Sequence, residues 1–242
     1  ANYVTTVEQI ALDGNVRELL DTTKAGDKIT ENDKYSHVFN EMKKTADFDK
    51  ENIMATWVGD IDANVLTQSD GFTSDASFEI TQREWYKVTE SGKSMLTAPY
   101  QDASTGKEIM SVAAPIYNES GDQVLGVAGV DISLDHINEI CSQYKIGNKG
   151  YIVLLTEDGT MVYHPTKENE LKKLSEANIS DDVMNALKSK KGTFLSYKAD
   201  KSTKEGYVGQ IGSKGYYVLS SLPASEYYSS LITSLVGLVF LL

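Results

Sequence analysis

The sequence predicts an α+β fold made of two similar modules in tandem. Apolar residues at the start (Val4, Val7, Ile10, Ala11, Val16, Leu19, Leu20) recur at helical spacing. From residue 53 onward β-branched and alternating runs take over, separated by Gly, Asp, Asn and Ser clusters typical of turns. The order of those runs occurs twice: a strand pair, a helical excursion, then a three-strand antiparallel meander. Two antiparallel sheets of about five strands each, with helices packed on them, follow from that order.

Residues 1–22 and about 32–46 read as helices, separated by the polar "TTKAGDKITEND". "IMATWVGDI" (53–61) and "NVLTQSD" (64–70) form the first strand pair, and "GFTSDAS" leads out of it. Thr81 with Glu84 three residues later has the form of a capping box, which predicts a helix from Thr81 to about Gly92. The meander is "SMLTAPY" (94–100), "EIMSVAAPIYN" (108–118) and "QVLGVAGVDISL" (123–134), and a helix from Asp135 to Tyr144 closes the module. In the second module "GYIVLLTEDGTMVYHP" (150–165) is the strand pair, 169–190 is mostly helical, and "GTFLSYKA", "EGYVGQIG" and "GYYVLSSLP" are the meander.

The tail "LITSLVGLVFLL" (231–242) is uncharged and almost wholly apolar. A span needs roughly 20 apolar residues, so this reads as the first half of a transmembrane helix; a buried C-terminal helix is the alternative. No signal peptide precedes Ala1, and the first helix is expected to continue one upstream. Four segments result: a helical lead-in at 1–50, a membrane-distal module at 51–145, a membrane-proximal module at 146–229, and the start of a membrane helix at 230–242.

The formal net charge of −12, without any Lys/Arg cluster, excludes a nucleic-acid partner. A single cysteine, Cys141, excludes an internal disulfide framework and a cysteine-based zinc site. His37, His136 and His164 have no metal-ligand spacing, and no metal or other cofactor is expected. No G-x-S-x-G, H-E-x-x-H, phosphate-binding loop or Cys/His pair is present, so the chain is not expected to be an enzyme.

The informative stretch is "EITQREWYKVTESGKSMLTAPY" (79–100), where Arg83 stands beside Trp85 and Tyr86 in an acidic chain. In the first turn of the expected helix a cation opposes the helix dipole. An anion held by the arginine and by free backbone N–H groups would remove the conflict. A salt bridge from Arg83 to Glu79 or Asp75 is the alternative. Asp131 lies in "LGVAGVDISL" among apolar and small neighbours, where a carboxylate needs a cation or several donors. A ligand ammonium would serve, and so would a role as cap of the helix starting near Asp135.

With these residues in order, the chain resembles the double-Cache (dCache_1) extracellular ligand-binding domains of bacterial chemoreceptors, the methyl-accepting chemotaxis proteins, and of related transmembrane receptors. Within that family it is similar to the amino-acid-binding branch. That branch carries a tyrosine, an arginine five residues on, Trp-Tyr at two and three beyond it, a tyrosine and an aspartate on the next hairpin, and a late aspartate. Arg83, Trp85, Tyr86, the pair Tyr100 and Asp102 in "PYQDASTGK", and Asp131 match at that spacing. Phe78 departs, standing where the family has tyrosine.

The resemblance implies two tandem PAS-like Cache modules behind a long N-terminal helix, and a small amino acid or related carboxylate bound in the distal one. It also implies a homodimeric full-length receptor held in the cell membrane, with this domain outside. In the family, the arginine and the Trp-Tyr pair hold the ligand carboxylate, as guanidinium chemistry allows. Trp85 could equally be a core aromatic, Tyr100 could simply pack, and Asp102 could serve its own turn. Phe78 supplies shape without a hydroxyl, which leaves open a non-amino-acid ligand such as an organic acid, amine or nucleobase.

Overall fold

The computed structural model of the chain describes residues 2–75, 77–189, 191–211 and 215–239. Two compact units divide between His136 and Ile137.

The first unit opens with α1 (Tyr3–Leu12), α2 (Gly14–Thr22) and α3 (Tyr35–Phe48). The expected single helix over 1–22 is broken at Asp13, whose backbone is extended and whose Oδ1 accepts from Asn15 N (2.7 Å) and Val16 N (3.1 Å). A capping side chain of this type ends one helix and starts another.

The sheet of this unit has strands β1 (Ile53–Asp60), β2 (Val65–Gln68), β3 (Met95–Leu96), β4 (Tyr100–Gln101), β5 (Glu108–Tyr117) and β6 (Val124–Ser133). Their order is β2-β1-β6-β5-β3, with β4 also pairing β5, and the pairs are antiparallel. The sheet has six strands rather than five because the run 94–100 is split ahead of Tyr100, at Pro99, which has no N–H to give to a ladder.

Alternation along β1 sends Thr56 and Trp57 to opposite faces. Thr56 Oγ1 donates to the Met42 carbonyl of α3 (2.8 Å), whereas Trp57 is buried with Ile80, Trp85, Val88, Ala113 and Val127. Gly129 sits directly opposite Trp57 in the β1–β6 register, and a Cβ there would run into the indole carbons Cε2 and Cζ2. Overpacking of this kind costs about 1–3 kcal/mol. Gly129→Ala is therefore expected to lower unfolding stability by that amount in urea titrations; stability at or above the parent's would mean that Trp57 has room to move.

Residues 80–91 depart most from expectation. Thr81 caps nothing, and the segment is a 3₁₀ turn (Ile80–Gln82), an extended Arg83 (φ −81, ψ 145), a second 3₁₀ turn (Glu84–Lys87), and a single helical turn α4 (Val88–Ser91) ending at left-handed Gly92 (φ 62). Ile80 and Trp85 are both 1% exposed. On a continuous helix, positions five apart diverge by about 140°, so one helix could not bury both; the break at Arg83 allows it.

Helix α5 (Leu134–Ser142) leads into the second unit, whose strands are β7 (Lys145–Ile146), β8 (Gly150–Thr156), β9 (Met161–Tyr163), β10 (Thr193–Ala199), β11 (Ser202–Ile211) and β12 (Tyr216–Pro223). The order is β10-β11-β12-β8-β7, with β9 pairing β8; the short β7 is the strand that the sequence did not announce. Helix α6 (Asp181–Lys188) buries Val183, Ala186 and Leu187 in the core with Val153, Leu155 and Leu219. His164 is buried, accepts from Thr166 N at Nδ1 (2.9 Å) and meets the Tyr151 ring edge-on, a packing role.

The last helix, α7 (Ala224–Val239), covers most of the apolar tail, and residues 240–242 lie outside the described residues. Among the described residues no helix is long and apolar enough to cross a membrane.

Candidate functional site

Short polar side chains shape the loop between β2 and residue 80. Asp70 Oδ1 accepts from Phe72 N (2.8 Å), Ser74 Oγ accepts from Leu66 N (2.9 Å), and Asp75 Oδ1 accepts from Ser77 N (2.9 Å). These turns carry the chain over the Trp57 face of the sheet, where Phe72, Phe78, Tyr86 and Tyr100 pack on the Trp57–Trp85 cluster. A cleft of about 420 Å³ opens here, lined among others by Phe72, Asp75, Phe78, Glu79, Arg83 and Ala103.

Arg83 does not sit in a helical turn. Its extended backbone lets the side chain fold back, and its Cζ lies 4.7 Å from the centre of the Phe78 ring, a cation–π contact. The alternative of a salt bridge to Glu79 or Asp75 is not realised: among the described residues none of the ion pairs engages Arg83. Its guanidinium donors face the cleft without a carboxylate partner.

Asp131 is 2% exposed and is the most constrained carboxylate of the site. Its Oδ1 accepts from Trp57 Nε1 (2.6 Å) and from Ser111 Oγ (2.5 Å). Ser111 Oγ in turn lies 2.5 Å from the Tyr100 hydroxyl, which must be the donor because the Ser111 proton is committed to Asp131. Among the described residues Oδ2 accepts nothing, so half of a buried carboxylate is left for a donor from outside the chain. Burial pushes the Asp131 carboxyl up to about 7; the Ser111 and Trp57 bonds oppose that rise, and the Asp102 and Asp70 carboxylates add to it. The helix-cap alternative is overturned, because the bond at the start of α5 runs from His136 N to Ser133 Oγ (3.1 Å).

The other residues fall into place around this pair. Tyr100 joins the two ends: burial, chiefly, and the Asp131 charge raise its phenol well above the ordinary value, while Arg83 acts on it in the opposite sense. Trp85 is buried with its ring centre 4.6 Å from that of Trp57, which makes it a wall of the cluster. Tyr86 is half-buried against the same cluster. The Asp102 carboxylate serves its own hairpin, accepting from Thr105 N (2.8 Å), Thr105 Oγ1 (2.6 Å) and Ser104 N (3.3 Å). Ser104 Oγ also donates to Asp70 Oδ2 (3.0 Å), which ties this hairpin to the loop across the cleft.

Trp57, Ser111 and Phe72 belong to the site and were not expected. Alternation in "MATWVGD" fixes the face of Trp57, but only the register, with Ala55 opposite Asp131, brings its indole N–H to that carboxylate. A guanidinium without an ion-pair partner and a buried carboxylate with one unengaged oxygen, both acting on Tyr100, are the two kinds of group that hold a zwitterion by its ends. Among the described residues no group of His, Cys, Asp and Glu side chains could hold a metal ion.

The family model dCache_1, described as a Cache domain, matches residues 2–231. The methyl-accepting chemotaxis protein PscA of Pseudomonas syringae pv. tomato is 35% identical over 103 residues, 42% of this chain and 16% of its own length. PctB of Pseudomonas aeruginosa, also a methyl-accepting chemotaxis protein, is 29% identical over 200 residues, 77% of this chain and 31% of its own. The chain thus spans less than a third of the length of these curated relatives. The ligand-binding domain of the Pseudomonas fluorescens chemoreceptor CtaA, solved in complex with L-isoleucine, superposes with a TM-score of 0.67 at 23% identity, covering 94% of this chain and 85% of that one.

Proposed function

Because the chain belongs to the Cache-domain family dCache_1, we propose that it is the extracellular sensor domain of a transmembrane chemoreceptor and binds a small amino acid in the module of residues 51–145. The carrying observation is that the Arg83 guanidinium, which has no carboxylate partner among the described residues, and the buried Asp131 carboxylate, whose Oδ2 accepts no hydrogen bond among them, both act on Tyr100 between them. Arg83 takes the ligand carboxylate, Asp131 takes its ammonium, and Trp57, Trp85, Tyr86 and Tyr100 form the walls. Phe78 supports Arg83 from behind, and Asp102 holds the hairpin that closes one side. The isoleucine complex of the CtaA domain supports this class of ligand. The protein binds rather than catalyses, the apolar segment 230–242 anchors it, and the full-length receptor works as a homodimer with the 146–229 module nearer the membrane.

Calorimetry and thermal shift on the chain with alanine, propionate and uracil test this. A ligand at a hundred times its dissociation constant adds about 2.7 kcal/mol of stability. Alanine is expected to bind and propionate to bind far more weakly; no response to any amino acid would reject the reading.

A second reading, an uncharged ligand such as a nucleobase, is favoured by one observation. A carboxyl titrating near 7 can also donate a proton, and Phe78 offers no hydroxyl. Phe78→Tyr separates the two. It is expected to strengthen alanine binding by about 0.5–1.5 kcal/mol, the net worth of one hydrogen bond. Weaker alanine binding together with tight uracil binding would favour the uncharged ligand.

A further inference from the structure

Three adjacent strands bring a serine to Asp131. In the antiparallel ladders Asp131 of β6 stands opposite Ser111 of β5 and opposite Ala55 of β1. The Trp57 indole, two residues along β1 from Ala55, reaches the same carboxylate from the other side. On its face of β5, Ser111 stands between apolar Ile109 and Ala113, and it is 0% exposed. A hydroxyl buried there costs free energy unless it is bonded. This one is bonded twice: it donates to Asp131 Oδ1 and accepts from the Tyr100 hydroxyl, each at 2.5 Å. The backbone beneath it is pinned as well, since Ser111 N donates to Thr97 Oγ1 (2.9 Å) and the Ser111 carbonyl accepts from Thr97 N (2.9 Å). With Trp57 and Ser111 both on Oδ1, the plane of the carboxylate is set, and Oδ2 is the oxygen left for a ligand.

We infer that Ser111 is a positioning residue for ligand binding: its hydroxyl orients the Asp131 carboxylate and ties it to Tyr100 on the neighbouring strand β4. This rests on the amino-acid reading above and adds how the ammonium end of the site is held ready. The bond has an electrostatic consequence, because a donated O–H favours the charged carboxylate. Burial is the chief cause of the raised Asp131 carboxyl, and Ser111, then Trp57, oppose it. Asp102 of the hairpin after β4 and Asp70 of the loop after β2 add to the rise, whereas β1 contributes only the neutral indole. Arg83 acts on Tyr100, the far end of the same chain of hydroxyls. Without Ser111 the carboxyl takes up its proton at higher pH, and a protonated Asp131 cannot pair with an ammonium.

Calorimetry with alanine between about pH 5 and about pH 9, on the parent chain, Ser111→Ala and Ser111→Thr, tests this. In the parent the affinity profile is expected to turn at about 7. In Ser111→Ala that midpoint is expected to rise by about one to two pH units, the scale of one hydrogen bond to a charged group. Alanine affinity then falls about five- to fiftyfold near pH 7 and stays within about twofold of the parent's near pH 9. A residue that only packs would lower affinity equally at every pH. Ser111→Thr keeps the hydroxyl and is expected to keep the parent's midpoint. Alanine already occupies the next position of this face, at Ala113, so the face accommodates a methyl group. A midpoint unmoved in Ser111→Ala, or displaced as far in Ser111→Thr as in Ser111→Ala, overturns the inference and leaves the amino-acid reading standing. No binding of any amino acid to the parent chain overturns both.

Discussion

Arg83→Ala is expected to abolish measurable binding of amino acids. Removing one partner of a buried charged contact typically costs about 2–5 kcal/mol, at least about thirtyfold in affinity. The fold should survive, because Arg83 is only half-buried, caps no helix with its side chain, and holds no ion pair among the described residues. Arg83→Lys is expected to recover little. An ammonium cannot chelate a carboxylate through two parallel bonds, and it stacks less well on Phe78 than a planar guanidinium does. Circular dichroism with calorimetry checks both variants, and unchanged affinity in folded Arg83→Ala would remove the anion from the site.

The second large effect is a pH dependence centred on Asp131. Its carboxyl is raised to about 7 in the folded chain, above its value in the unfolded one. Its contribution to stability is therefore fully present at low pH and is lost as pH rises through about 7, where the charged form must be held in a buried site. A ligand ammonium binds that charged form, so the ligand and a proton compete. Amino-acid affinity is expected to fall about tenfold per pH unit below about 7, and the thermal shift to be larger near pH 8 than near pH 5. Asp131→Asn should flatten this profile, and should weaken alanine much more than propionate. A profile that is flat in the parent chain would mean that Asp131 does not meet an ammonium.

The repeated order of strand pair, helical excursion and meander was legible because each strand announces itself by local alternation, and each turn by Gly, Asp or Asn. Arg83, Tyr100 and Asp131 were legible for a different reason, as polar groups in places where their neighbours are apolar or aromatic. The geometry that joins them was not. The helix that Thr81 and Glu84 promise does not form as such: the backbone opens at extended Arg83, between buried Ile80 and buried Trp85, and only the single turn Val88–Ser91 is α-helical. The Trp57–Asp131 bond depends on strand register, a long-range property that no local pattern carries. Asp102 illustrates the reverse: its turn chemistry was readable from "DASTGK", and all its carboxylate bonds are spent there.

The chain contains two tryptophans, Trp57 and Trp85, and both lie in the buried cluster of the first unit with their ring centres 4.6 Å apart. Its entire indole emission therefore originates at one place, with one chromophore hydrogen-bonded to Asp131, the carboxylate proposed to receive the ligand ammonium. An ammonium arriving at Asp131 alters the charge at the end of that N–H bond, and the emission wavelength and intensity should follow. The domain carries its own optical readout, so occupancy can be titrated without a label, and Trp57→Phe should silence most of the signal while Trp85 still reports the fold.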